Sequence, residues 1–281
     1  MSTVPYPPQR QLSVGEVLDL SFRIYRATLV RCLLFATCGV IAGELAGIYA
    51  LIKGGTVPRA GGGMAAMVAQ LRDPTFVTLY IVGFVLTLLF YAAVLLREHS
   101  IITAGNAAGE LAAALRRLPA LIGLLVMVGL GFGVCFLPAA ITGGALRALL
   151  VSAAVVALCY GVVAISCAQT ILLIDGEGPA SSLARSWRLT SGSFWRLSLI
   201  YTVALIILIA LYAVIGAVAG VLAAAFAHGD VAMVTAFAQV IGIILGALAT
   251  PFYAALALAV LADLKVRKEG TDLAQRISAT A

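Results

Sequence analysis

Apolar residues fill the chain between Leu29 and Asp263 almost without interruption, and charge is confined to the gaps. A soluble domain needs a polar shell around its core. With 63% hydrophobic and 11% charged residues among 281, and a mean hydropathy of +1.11, this chain lacks the side chains to build one. The sequence therefore specifies an all-α, polytopic membrane protein folded as a single membrane domain over 1–281.

A helix needs roughly 20 apolar residues to cross about 30 Å of hydrocarbon. Six segments qualify: about 29–52, 76–96, 119–138, 146–174, 197–227 and 231–263. The last two, about 31 and 33 residues long, exceed a bilayer at about 1.5 Å per residue and must tilt, bend or protrude. Only His228 to Asp230 separates them, which predicts a tight antiparallel hairpin.

Cytoplasmic loops retain Lys and Arg, so basic residues set the orientation. One side collects Arg10, Arg23, Arg26, Arg31, Arg97, Arg116, Arg117, Arg185, Arg188, Arg196, Lys265, Arg267, Lys268 and Arg276, fourteen of the 18. The other has Lys53, Arg59, Arg72 and Arg147. Six spans then place both termini in the cytoplasm. Met1 to Gly15 is polar and proline-bearing, and is not expected to be a cleaved signal peptide. All five cysteines fall in spans without metal-ligand spacing, so no metal, cofactor or disulfide is expected. The net charge of +6 follows from the inner-leaflet bias and gives no support for nucleic-acid binding.

Three basic-side segments share a plan. Gly15-Glu16-Val17-Leu18 leads to Arg23, Gly109-Glu110-Leu111-Ala112 to Arg116, and Gly178-Pro179-Ala180-Ser181 to Arg185, each arginine seven or eight residues after its glycine. This suggests a threefold repeat of a short amphipathic interfacial helix plus two spans, over 15–104, 105–177 and 178–268. Such helices lie at the headgroup level, where arginine meets phosphate and tryptophan prefers the interface. The expected interfacial set is Arg23, Arg26, Arg116, Arg117, Arg185, Trp187, Arg188, Trp195 and Arg196. Two readings fit it: plain positive-inside anchoring, or specific binding of anionic phospholipid headgroups at the cytoplasmic face.

Gly178-Pro179 through Ser186-Trp187-Arg188-Leu189 to Gly192-Ser193-Phe194-Trp195-Arg196, and the tail Asp263-Leu264-Lys265-Val266-Arg267-Lys268-Glu269-Gly270-Thr271-Asp272, form a recognisable pattern. Leu12-Ser13-Val14-Gly15-Glu16-Val17-Leu18-Asp19 with Arg23-Ile24-Tyr25-Arg26 extends it. The pattern resembles the membrane domain found with glycerophosphoryl diester phosphodiesterases and its stand-alone bacterial relatives. The resemblance implies an α-helical module of a bacterial inner membrane. It does not bring the phosphodiesterase activity, which needs a soluble barrel with a metal site. Only His99 and His228 are present, and no segment of barrel length is left over.

Within the spans, Glu44 is the carboxylate set well inside, to be read as a structural polar contact in a packed helix or, as the alternative, a substrate or proton site. It lies in a run where Gly39, Gly43 and Gly47 clear one helix face for close packing. Gly216 and Gly220 face the problem from the fifth span, Gly242 and Gly246 from the sixth, and the two pairs are expected to meet across the hairpin. Thr250-Pro251 interrupts the sixth span, and the proline tends to kink it. Gln169 and Gln239 either line a polar cavity there, together with Glu44, or bridge helices. No nucleophile with a positioned base appears, so no catalytic residue is assigned. The expected function is a non-catalytic inner-membrane scaffold or accessory module acting on lipids or an unknown protein partner. The alternative is a small transporter or lipid-handling permease with its path between the repeats.

Overall fold

The computed structural model describes residues 6–53, 70–104, 109–227 and 231–270. The turn at His228 to Asp230, Arg59, Arg276 and the end of the tail motif lie outside them. The chain order is α1 (Val14–Gly43), α2 (Leu45–Ile52), α3 (Pro74–Ala104), α4 (Glu110–Ala140), α5 (Gly144–Ala164), α6 (Ala168–Asp175), α7 (Pro179–Thr190), α8 (Phe194–Ala227) and α9 (Val231–Glu269). Six stretches are long and apolar enough to cross a membrane: α1, α3, α4, α5 with α6, α8 and α9. The protein is an all-α, multi-pass membrane protein.

Local chemistry sets the helix starts. Ser13 and Glu16 form a reciprocal capping box, the Glu16 amide donating to Ser13 Oγ and the Ser13 amide to Glu16 Oε2 at 2.7 Å. At the opposite end of the bundle, the Thr75 amide donates to Asp73 Oδ1 at 3.0 Å as α3 begins on Pro74. Lys53 at 2.8 Å, with Tyr49, holds Asp73 down to about 2, so this tie between α2 and α3 persists as pH falls until that carboxylate protonates. Gly176, at φ 73°, ends α6 in a conformation that a side chain would oppose.

Two spans have a joint in mid-course, a tightening of the helix at the first and a break at the second. α1 stops at Gly43 and α2 restarts at Leu45, with Glu44 at the joint. α5 stops at Ala164 and α6 restarts at Ala168. A broken span leaves carbonyls that lipid cannot satisfy. The Ala164 carbonyl accepts from Ser186 Oγ at 2.9 Å and Thr190 Oγ1 at 3.0 Å, both on α7. The Ser-Trp-Arg-Leu-Thr segment thus closes the end of another helix. Its plan also differs from that expected of three equal copies. The first two amphipathic stretches run straight on as the opening turns of α1 and α4, and α7 alone of the three is a separate short helix.

α9 is the axis of the bundle: 61% of its apolar window is buried, against 6% for α8. α1 packs chiefly against α9 and α3, with α8 and α4 outside them. The continuous core joins Leu20 and Ile24, Leu95 and Ile102, Leu121 and Leu124, Ile171 to Leu173, Leu197 and Ile200, and Leu256 to Leu264. All of these belong to the end of the bundle that carries both the N-terminal segment and the end of α9. The far halves of α4, α5 and α8 are broadly exposed and apolar, as lipid contact requires.

The glycines divide by helix. An added Cβ would lie 3.0 Å from Phe90 at Gly39, 3.1 Å from Thr87 Oγ1 at Gly43, and 3.0 Å from Val40 at Gly246. The α1 run is thus a packing face against α3, and Gly246 meets α1. The expected hairpin contact does not form: Gly216, Gly220 and Gly242 are exposed, with nothing within 4 Å of an added Cβ. α9 packs chiefly on α1 rather than on α8, and although Gly242 shares a helix face with the buried Leu245, Ala249 and Phe252, it is itself exposed. The tightest approach is one that sequence spacing did not mark, where a Cβ on Gly83 would run into the Ala42 carbonyl oxygen. Gly83→Ala should therefore lower stability in detergent by roughly 1–3 kcal/mol through overpacking. Gly216→Ala should change it by less than about 0.5 kcal/mol, as at other uncrowded surface sites. Thermal unfolding of the two variants side by side checks the order, and equal effects would contradict this packing.

Candidate functional site

The basic end is held by two ion-pair clusters. Arg185, at the middle of α7, engages Glu269 through Nε and a terminal nitrogen at 2.8 Å each, and Asp175 and Glu177 at 2.7 Å. Lys265 also reaches Asp175 at 2.8 Å. Hydrogen bonding to Glu269 and the neighbouring carboxylates raises the Arg185 guanidinium above its usual range, so it stays charged. The second cluster centres on Asp263, which is 1% exposed. It accepts from Arg196 at 2.7 Å, Arg267 at 3.0 Å and the Leu12 amide at 2.8 Å. Both arginines also donate to the Leu12 carbonyl.

Arg185 and Arg196 direct donors to carboxylates of their own chain, because the tail Asp263 to Glu269 folds back beside them. Arg117 donates to the Leu172 carbonyl at 3.3 Å. Arg23, Arg26, Arg116 and Arg188, and Arg31 with them, are exposed and have no intramolecular partner among the described residues. Trp187 is half exposed and Trp195 is 83% exposed. Tyr160 stacks on Phe194 at 5.1 Å and meets Trp187 edge-on at 5.6 Å, so an aromatic patch flanks the break in the fourth span.

A cavity of about 260 Å³ opens between α1, α3, α6 and α9. Phe35, Ala36, Gly39 and Val40 line it from α1, Thr87, Leu88 and Tyr91 from α3, with Gln169 and Thr250 completing it. Thr250 precedes the Pro251 position at which a kink was expected. The threonine hydroxyls are already committed, Thr87 to the Gly39 and Gly83 carbonyls at 2.9 Å and Thr250 to the Gly246 carbonyl at 2.8 Å. A guest therefore meets apolar walls with the Gln169 amide and the Tyr91 phenol as polar handles.

The expected polar trio splits in two. Gln169 lines this cavity, whereas Glu44 and Gln239 flank Gly47 at the far end, their polar atoms 3.2 and 3.4 Å from an added Cβ there. Gln239 Nε2 is buried without a hydrogen-bond partner.

Glu98 went unnoticed in the sequence. Beside Arg97 and His99 it reads as loop charge beyond a span ending at 96, yet α3 continues to Ala104 and buries it completely. The available signal was its spacing, seven residues after Tyr91 and eleven after Thr87, which keeps it on the cavity-facing side of α3. Asp263 was hidden in the same way, at the start of the charged tail that follows the last span. Among the described residues no group of His, Cys, Asp or Glu has the geometry to hold a metal ion.

The Asp263 cluster predicts that Asp263→Asn costs about 3 kcal/mol, since two arginines lose a buried counter-charge. Chemical unfolding in detergent measures it, and a variant as stable as the parent would show the cluster to be dispensable.

No protein-family model, curated protein or solved structure matches the chain.

Proposed function

We propose that this chain is a non-catalytic module of a bacterial inner membrane that takes up a lipid or similar amphiphile at mid-membrane, with both termini in the cytoplasm. The cavity carries the reading. Its apolar walls and few polar groups suit an acyl chain or a small amphiphile. It lies between Ala36 on α1, Tyr91 on α3 and Thr250 on α9, spans that an amphiphile in the bilayer would meet. The resemblance to the membrane domain of the glycerophosphoryl diester phosphodiesterases fits a lipid-facing role, and we extend to this chain only the membrane architecture of that family. The unpartnered Arg23, Arg26, Arg31, Arg116 and Arg188 suit anionic phospholipid around the basic end, at about 1 kcal/mol for each basic residue near the surface. A continuous transport path has less support, since close packing of Gly43 on Thr87 stands between the cavity and the Glu44–Gln239 pair.

Native mass spectrometry of the protein released from lipid nanodiscs tests the cavity. The parent should retain one lipid-sized adduct, and Ala36→Trp, which fills the space, should lose it while keeping the fold. A parent without an adduct, or a variant that keeps it, would rule out the reading. Orientation is checked separately by reporter fusions. One after Lys53 should report the outside and one after Gly270 the inside; any other pairing would reverse the topology.

A further inference from the structure

Glu98 lies on the seam between α1 and α3 with no exposed surface. Its Oε1 is 3.1 Å from Thr28 Oγ1, and its Oε2 has no hydrogen-bond partner. Counting protons at Thr28 constrains the state of this carboxyl. A threonine hydroxyl has one proton to donate. Thr28 Oγ1 lies 2.9 Å from the Ile24 carbonyl one turn back, an acceptor that helical threonines commonly use. With the proton committed there, the contact with Glu98 is a hydrogen bond only when Glu98 brings a proton and donates it to Thr28 Oγ1. An ionised Glu98 would instead have two buried oxygens sharing, at best, one hydroxyl proton. Burying an unpaired carboxylate is far costlier than burying the neutral acid.

Among the described residues no cation forms an ion pair with Glu98. Tyr25 and Cys32 on α1 and Tyr91 on α3 are its titratable neighbours, and Arg97 precedes it on α3. Arg97 turns its guanidinium over the Phe35 ring, 5.0 Å from the centroid, and forms no ion pair with Glu98. Glu110 of α4 is engaged by Ser100 at 3.3 Å. α9 packs on both α1 and α3 and has no titratable group from Ala254 to Ala262; the next, Asp263, is held by Arg196 and Arg267.

We propose that Glu98 is a proton-binding site buried within the helix bundle, occupied at neutral pH in this packed conformation and placed on the same face of α3 as the cavity. Thr87, Tyr91 and Glu98 follow one another along that face, with Glu98 about 10 Å beyond Tyr91 toward the basic end. The ligand is a proton rather than a metal cation, because a hard cation takes about six oxygens and the seam supplies Glu98 and Thr28. Arg97, which a sequence reader would pair with Glu98, serves the Phe35 ring instead. The site stands independently of any guest in the cavity.

Infrared spectroscopy of the full chain at pH 7 in a maltoside detergent, which has no carbonyl group to overlap the band, tests this directly. The parent should show the carbonyl stretch of a protonated carboxyl group, lost in Glu98→Gln and retained in Glu110→Gln. Thr28→Val, close in shape and lacking the acceptor, should shift that band, which keeps the test valid should Glu98→Gln fold poorly. Absence of the band in the parent, its survival in Glu98→Gln, or an unshifted band in Thr28→Val would each overturn the proposal.

Discussion

Asp263 is a carboxylate with almost no solvent contact near the end of the longest helix, and it is tolerated there because donors from three parts of the chain converge on it. Arg196 comes from the start of α8, Arg267 from the next turn of α9, and the Leu12 amide from the segment before α1. A buried charge must be paired and hydrogen-bonded or it destabilises the fold. Satisfying Asp263 therefore ties the N-terminal segment, the start of α8 and the end of α9 to a common point. The Arg185 cluster does the same for α6, α7 and α9.

From these ties follows a bundle that is tight at one end and looser at the other. The continuous core occupies the half nearest the ion pairs, while the far halves of α4, α5 and α8 have exposed apolar surfaces. Lipid tails are as apolar as leucine, so there is no hydrophobic penalty for leaving those faces uncovered. The cavity lies where tight packing gives way, between the Gly39 and Gly43 contacts on one side and the α1–α3–α9 core on the other. Glu98 sits on the core side of it, wholly enclosed by protein.

The joints in two spans have a related logic. A membrane helix interrupted in mid-course needs its freed carbonyls met from within the protein. Ser186 and Thr190 do this for α5, which gives the Ser-Trp-Arg-Leu-Thr segment a structural task that its arginines and tryptophans alone do not explain. At Glu44 the amide keeps its bonds to the Val40 and Ile41 carbonyls, so the joint between α1 and α2 is a tightening of the helix rather than a gap.

The order, number and apolar character of the spans were legible along the chain, because a helix in hydrocarbon satisfies its backbone by itself and so declares itself in about 20 consecutive residues. The α1 glycines were legible too, as a spacing of four that any partner could use. What the chain alone left open was the identity of partners. Gly216 and Gly220 have the same spacing as Gly39 and Gly43, yet one pair faces outward and the other packs, since rotation of each helix depends on all its neighbours. Likewise Arg185 and Arg188 sit three residues apart on one short helix. Only the return of α9 to the N-terminal side brings carboxylates to the first and leaves the second without one. Glu98 is the same case in reverse: its sequence neighbours made it look like solvated loop charge, and the packing of α1 against α3 removed the water.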